Sequence, residues 1–116
     1  MLKHTSGKGI SLSGCNSGGV ILEIKEFQQF MSDLYGHNDR RRGAIATMLW
    51  LVEEVGELAE AVRRHDTENI KEELADCFAW VGALANLYNV DIETAFLEKY
   101  PLACPTCGKN PCVCTD

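Results

Sequence analysis

Two pairs of acidic residues have a spacing that could hold a metal ion. The segment EEVGELAE contains Glu54 and Glu57, and the segment EELAD contains Glu73 and Asp76. In an α-helix, residues three positions apart lie on one face with their Cβ atoms about 5–6 Å apart. Each pair could therefore share one cation.

The two pairs meet if their segments form antiparallel helices joined by a short turn. Counting outward from a pivot at residues 66 and 67 places Glu57 level with Asp76, and places Glu54 and Glu73 within about one turn of them. Carboxylates this close repel one another unless cations neutralise them. Without histidine or cysteine they are hard ligands, which suit Mg²⁺ or Mn²⁺. The alternative is that these residues form the solvated faces of ordinary amphipathic helices.

The positions of the tryptophans favour the metal site. Trp50 lies on the same arc of its helix as the first acidic pair, and Trp80 lies on the same arc as the second. A merely solvated face would not continue into both tryptophans of the chain. The acidic residues are therefore predicted to line the edge of a partly buried, aromatic groove, which is a typical setting for a ligand.

Apolar residues recur at helical spacing after the first 21 residues, which predicts an all-α fold. Three main helices are expected at about 22–36, 41–64 and 69–88, and a short fourth helix is expected from residue 91 to just before Pro101. Gly36 is the expected stop of the first helix, and no segment has the pattern of a strand.

The predicted helices have caps and apolar faces. Asn69 and Glu72 fit a capping box, and Asp91 can cap the fourth helix. The apolar face of the second helix is predicted to contain Met48, Leu51, Val52, Val55, Leu58, Ala59 and Val62. The apolar face of the third is predicted to contain Leu74, Cys77, Phe78, Val81, Ala85 and Tyr88.

The chain divides into three parts. Residues 1–21 are rich in Gly and Ser and are expected to be disordered, 22–101 form the helical domain, and 102–116 form a cysteine-rich tail. A helical chain this small cannot easily bury all of its apolar surface. We therefore expect a homodimer or homotetramer with a core of the four-helix-bundle type.

Four of the six cysteines crowd into the tail sequence CPTCGKNPCVC, as Cys104, Cys107, Cys112 and Cys114. A Cys-x-x-Cys pair followed by glycine lets backbone amides point at sulfur, and a second close pair can complete a tetrahedral site for structural Zn²⁺. Such a closed site leaves no coordination position for catalysis. A redox pair and a tail with free thiols are the alternatives.

Charge and hydropathy exclude some classes of function. The 116 residues carry a net charge of −6, and the longest basic run is Arg40, Arg41 and Arg42, so binding to polymeric nucleic acid is not expected. No apolar run approaches the roughly 20 residues that cross a bilayer, so no membrane association is expected. Without the apolar core of a signal peptide, the expected location is the cytoplasm.

The string EEVGELAEAV, followed by EELAD on the next helix, resembles the MazG family of all-α nucleoside triphosphate pyrophosphohydrolases. The resemblance covers about Ile24 to Tyr100. It implies hydrolysis of a nucleoside or deoxynucleoside triphosphate to the monophosphate and pyrophosphate, as nucleotide-pool housekeeping. Two alternatives stay open: an enzyme like phosphoribosyl-ATP pyrophosphohydrolase, and a non-catalytic zinc-containing module for oligomerisation or partner docking.

The resemblance also implies roles for residues. It assigns Mg²⁺ to Glu54, Glu57, Glu73 and Asp76. Glu53 becomes a candidate to orient or deprotonate the attacking water, Trp50 or Trp80 a candidate to stack on the base, and Lys99 a candidate to approach the phosphates. Both tryptophans could instead be core or interface residues. Relatives continue this helix with asparagine and basic residues, whereas this chain breaks at Pro101, so the Arg40–Arg42 run is an alternative source of phosphate contacts.

Overall fold

The computed structural model describes residues 20–115, and within this range it contains four α-helices and no β-strand. The helices are α1 (Ile24–Arg42), α2 (Ala44–Arg63), α3 (Thr67–Leu87) and α4 (Ile92–Lys99). The predicted all-α fold with three main helices and a short fourth is therefore confirmed. The predicted disorder of residues 1–19 lies outside the described residues.

Helix α1 is longer than the sequence predicted. Gly36 is buried inside it, and the helix continues through the basic run to end at Gly43, whose φ of +87° is left-handed. A side chain is strained at that angle, so glycine suits the sharp change of direction into α2. The predicted stop at Gly36 was wrong because a single glycine costs only about 1 kcal/mol inside a helix.

Helices α2 and α3 form an antiparallel hairpin whose turn is centred on His65 (φ +53°). Asp66 caps α3, because its Oδ1 accepts a hydrogen bond from the backbone N–H of Asn69 at 3.2 Å. The predicted cap at Asn69 was therefore three residues late, whereas the predicted cap of α4 at Asp91 is confirmed by a 3.2 Å bond from Thr94 N–H.

Helix α1 packs against α3 and holds the start of α4. A Cβ on Gly82 would lie 2.6 Å from Cζ of Phe27, so glycine permits the close approach of α1 and α3. The buried Gln28 binds the α3–α4 connection, since its Nε2 donates to Val90 O at 2.8 Å and its Oε1 accepts from Ile92 N–H at 2.7 Å. These bonds link α1 to the α3–α4 connection and to the first residue of α4.

The apolar faces predicted for α2 and α3 are not the faces that meet in the hairpin. The hairpin buries Thr47, Glu54 and Ala61 of α2, and Glu73 and Trp80 of α3, at seven-residue spacing. Four members of the predicted α2 face stay 44–54% exposed, namely Met48, Val52, Val55 and Val62. Four members of the predicted α3 face stay 40–65% exposed, namely Leu74, Phe78, Val81 and Tyr88.

The helices of residues 20–115 are too short or too polar to cross a bilayer.

Candidate metal centre

Three acidic side chains converge inside the α2–α3 hairpin. Glu54 and Glu73 are only 1% and 8% exposed, and Glu57 is half-buried between them. One carboxylate oxygen from each of the three lies within 4.8 Å of those from the other two. We call this group, Glu54, Glu57 and Glu73, the acidic seam.

The acidic seam is electrostatically strained without a counter-charge. Burial, followed by hydrogen bonds with Glu73 and Glu57, raises the pKa of Glu54 from 4.5 to about 8. Oε2 of Glu54 and Oε2 of Glu73 are also buried, and neither has a hydrogen-bond partner among residues 20–115. Buried carboxylate oxygens need a proton or a cation. An all-oxygen set of this kind fits Mg²⁺ or Mn²⁺.

Asp76, the fourth predicted ligand, does not join the three others. Its side chain is exposed, and it is absent from the group of carboxylates that lie within 4.8 Å of one another. The pivot of the hairpin is His65 rather than residues 66 and 67, which puts Glu57 level with Glu73 and Glu54 level with Asp76, but the Asp76 side chain lies on the exposed side of α3. Asp76 lies one turn along α3 at the edge of the hairpin seam.

The other two residues assigned from the resemblance lie on the surface. Glu53 is exposed on α2 beside Glu54. Lys99 is exposed at the end of α4, where its Nζ lies 5.6 Å from the centroid of the Tyr100 ring. Within residues 20–115, Lys99 has no ion pair with the acidic seam. The structure thus leaves both roles as predictions.

The two tryptophans stack on each other next to the acidic seam. Their ring centroids lie 6.1 Å apart with planes 10° from parallel, so the two rings share one side of the hairpin, and the predicted groove stays a prediction. Trp80 is 2% exposed, whereas Trp50 is half-buried. Trp50 is therefore the tryptophan with ring surface available in a single chain, and Trp80 supports it from below.

Sequence reasoning missed an ion pair at the end of α1. Nη1 of Arg42 lies 2.7 Å from Oδ1 of the buried Asp39, and the guanidinium lies 4.9 Å from the centroid of the Trp80 ring. The signal was the three-residue spacing of Asp39 and Arg42. This spacing puts the two on one face only if α1 continues past Gly36, which the sequence did not predict. Arg42 thus contacts both Asp39 and the Trp80 ring, while Arg40 and Arg41 are exposed.

Cys77 was also assigned to an apolar face, but it lies beside the acidic seam. It is half-buried, and burial together with the carboxylates around it, first Glu54 and then Glu73, raises the pKa of its thiol. The signal was its spacing of four from Glu73, which places both on one side of α3. Cys77 therefore stays a neutral thiol near the carboxylates.

A second group of potential ligands lies in the tail after α4. One sulfur from each of Cys104, Cys107, Cys112 and Cys114 lies within 4.8 Å of the others, and none of the four is in a disulfide. We call these four residues the cysteine knuckle. Backbone N–H groups of Cys107 and Thr106 lower the pKa of the Cys104 thiol to about 6, so this sulfur is readily deprotonated as a metal ligand must be.

A comparison with family models places the hairpin in a known context. The model described as the MazG nucleotide pyrophosphohydrolase domain matches residues 42–108. The matched region contains α2, α3, α4 and the first two cysteines of the knuckle, and it leaves Cys112 and Cys114 outside. A comparison with curated proteins finds no match.

Proposed function

This chain belongs to the MazG nucleotide pyrophosphohydrolase family, and from that premise we propose that it hydrolyses nucleoside or deoxynucleoside triphosphates in a reaction that depends on Mg²⁺. The anhydride between the α- and β-phosphates is broken, one water is added, and a monophosphate and pyrophosphate leave. The observation that carries the proposal is the convergence of three carboxylates, two of them buried, inside one helical hairpin.

Glu54, Glu57 and Glu73 would hold the ion, with Asp76 as a further ligand at the edge. When bound, a divalent cation neutralises the phosphate chain and lowers the pKa of coordinated water. Helices α2 and α3 fix the positions of these carboxylates, because ligands on two packed helices move less relative to each other than ligands on loops. The seam carboxylates would repel a polyphosphate, and the net charge of −6 adds to this repulsion, so a bridging cation would be needed at the site.

The residues around the acidic seam complete the proposed site. Glu53, the exposed neighbour of Glu54 on α2, is proposed to orient or deprotonate the attacking water. Trp50 offers a half-buried ring on which a base can stack, held in place by Trp80. Lys99 is proposed to meet the phosphates from the end of α4.

The half-exposed apolar faces of α2 and α3 support assembly of copies of this chain. Eight side chains of the predicted apolar faces remain at least 40% exposed, and monomeric proteins rarely leave apolar patches of this kind uncovered. A second copy that packs its hairpin against these faces would form a four-helix core, as a homodimer or as half of a homotetramer. Sedimentation should give a mass above that of one chain, and Val55→Glu should lower it.

The activity is tested by pyrophosphate release from a panel of nucleotides with and without Mg²⁺. The panel contains the standard and damaged triphosphates and phosphoribosyl-ATP, so that it separates hydrolysis of nucleoside triphosphates from hydrolysis of phosphoribosyl-ATP. Glu57→Gln should lower turnover about 100-fold or more, because a carboxamide keeps the shape but loses the charge. Glu60→Gln is the matched control, since Glu60 is exposed on the same helix and is paired with Arg63.

Two results would contradict the proposal. The first is a wild-type protein that cleaves no member of the panel at any Mg²⁺ or Mn²⁺ concentration. The second is a Glu57→Gln variant as active as Glu60→Gln. Either outcome would leave a non-catalytic module as the better interpretation.

A further inference from the structure

The cysteine knuckle has the dimensions of a tetrahedral metal site. A four-thiolate zinc site has Zn–S bonds of about 2.3 Å, so that its sulfurs lie about 3.8 Å apart. In the structure, the sulfurs of Cys104 and Cys114 are 3.8 Å apart, and those of Cys107 and Cys112 are 3.9 Å apart. The four thiols are therefore already spaced for one ion at their centre.

The backbone around the knuckle is folded to direct N–H groups at sulfur and to close the loop. Cys104 N–H donates to Lys109 O at 3.0 Å, and Gly108 N–H donates to Cys104 O at 2.8 Å. Gly108 has a φ of +71°, where a side chain would be strained. Cys114 N–H donates to the sulfur of Cys112 at 3.3 Å. These are the features that thiolate ligands of a metal require.

Apart from these hydrogen bonds and the neighbouring end of α4, little in the tail stabilises this shape. Residues 101–115 contain no helix or strand, and Leu102 and Val113 are 76% and 62% exposed. A segment this short cannot bury enough apolar surface to offset its conformational entropy. A bound metal can supply that free energy, because ions that bind only the folded form stabilise it.

We propose that the cysteine knuckle binds one structural Zn²⁺, which organises residues 102–115 and holds them against the C-terminal end of α4. A groove of about 490 Å³ lies between the two, lined on the α4 side by Phe96 and Tyr100 and on the tail side by Leu102, Pro105 and Cys112. Asn110 Nδ2 also donates to Leu102 O at 3.3 Å. The proposal does not depend on the proposed hydrolysis, since none of these residues belongs to the acidic seam.

The ligand chemistry separates this site from the acidic seam. Four soft thiolates select Zn²⁺ over Mg²⁺, and a closed set of four leaves no open position for substrate or water. The family match stops at residue 108 and contains only two of the four ligands.

Metal analysis of the full chain tests the zinc site. The protein is produced reduced, in medium containing zinc and iron, and its metals are counted by mass spectrometry in buffer containing Mg²⁺. Wild type and Cys77→Ser should each carry one zinc per chain, and Cys112→Ser should carry less than a tenth of that. Cys77→Ser is the matched control, because Cys77 is a free thiol outside the knuckle. Replacement by Co²⁺ should give the thiolate-to-metal absorption of a tetrahedral site in the first two proteins only.

Hydrogen exchange tests the structural role without reference to activity. In Cys112→Ser, the backbone amides of Tyr100, Leu102, Cys104 and Gly108 should exchange at least about tenfold faster than in wild type, while amides of α2 and α3 keep their rates. Iron in place of zinc, two disulfides in place of metal, or unchanged exchange in a zinc-free tail would overturn the proposal.

Discussion

The acidic seam and the cysteine knuckle each bring several potential metal ligands close together, but the protein supports the two sites in opposite ways. The seam lies between two helices of 20 and 21 residues, and its carboxylates are largely buried. The knuckle lies on a tail without helix or strand, and its sulfurs are exposed or half-exposed. We expect the helices to keep their fold without an ion, whereas the tail has only a few hydrogen bonds and the end of α4 to hold it.

This difference predicts different consequences of metal loss. In the acidic seam a proton can replace the cation, because protonation also removes the repulsion between buried carboxylates. The seam should therefore lose activity but not structure. In the cysteine knuckle the metal supplies the folding free energy itself, so that its loss should unfold the tail but leave the chemistry on α2 and α3 largely intact.

The largest effect should come from exchanging one ligand in each site. Glu73→Gln should lower kcat/KM about 100-fold or more, because it removes a buried ligand charge that acts on the phosphates through the ion. Cys112→Ser should lower it less than about tenfold, since its effect reaches the site only through α4. Steady-state kinetics at saturating Mg²⁺ measures both.

Glu72→Gln is the control for the first variant, because Glu72 is the exposed neighbour of Glu73 on α3. It should retain wild-type kinetics. If Cys112→Ser proved as damaging as Glu73→Gln, the division of the two sites into chemical and structural roles would be wrong.

The second prediction concerns the stability of the acidic seam without Mg²⁺. The folded protein raises the pKa of Glu54 from 4.5 to about 8, so the folded state holds a proton that the unfolded state releases. The resulting stabilisation is complete below pH 4.5 and is lost as the pH rises through 8. In Mg²⁺-free buffer that retains zinc, the Tm of wild type should fall by several degrees relative to Glu54→Gln between pH 6 and pH 9.

Adding Mg²⁺ should reverse this difference, because the ion binds the deprotonated seam and stabilises the folded wild type most at high pH. Glu54→Gln cannot ionise at this position, and it therefore subtracts the contribution of cysteines and histidines that titrate in the same range. A difference in Tm that is independent of both pH and Mg²⁺ would mean that the seam does not bind protons and cations as alternatives.

Much of the acidic seam could be predicted from the sequence, because it depends on local spacing. Residues three apart on a helix share a face in any fold, so Glu54 and Glu57 were placed correctly relative to each other. Asp76 stays outside the group although the turn at His65 puts it level with Glu54, because the rotation of α3 about its axis, which local spacing does not give, leaves its side chain exposed. Helix ends are the least predictable feature of a helical hairpin.

The buried faces were harder to predict, because they depend on which helices meet. The apolar stripe containing Val52 and Val55 is the strongest pattern on α2, but the hairpin instead buries Thr47, Glu54 and Ala61. Local pattern identifies an apolar face without identifying its partner. The cysteine knuckle was easier, since four thiols within eleven residues can meet only in a few ways.

The third prediction tests whether the nucleotide base binds beside the acidic seam and not in the groove beside the cysteine knuckle. Trp50→Leu should raise KM about tenfold with little change in kcat, since stacking of an aromatic ring on a base contributes about 1–3 kcal/mol. Phe96→Leu, which removes a ring of similar kind from the groove beside the knuckle, should leave KM at its wild-type value. An increase in KM for Phe96→Leu would mean that the knuckle groove also meets the nucleotide.

The smallest effect should appear where the two regions adjoin, at Lys99. This residue ends α4, and the tail that carries the knuckle begins immediately after it. Lys99→Gln should raise KM about threefold, because one exposed charge contributes little at physiological salt. If zinc affects hydrolysis only by holding the end of α4, then Cys112→Ser should weaken the same contact between Lys99 and the phosphates, because it loosens the end of α4. The double variant should then match the more affected single variant, and effects of the two single variants that multiply would show that Lys99 and the knuckle act independently.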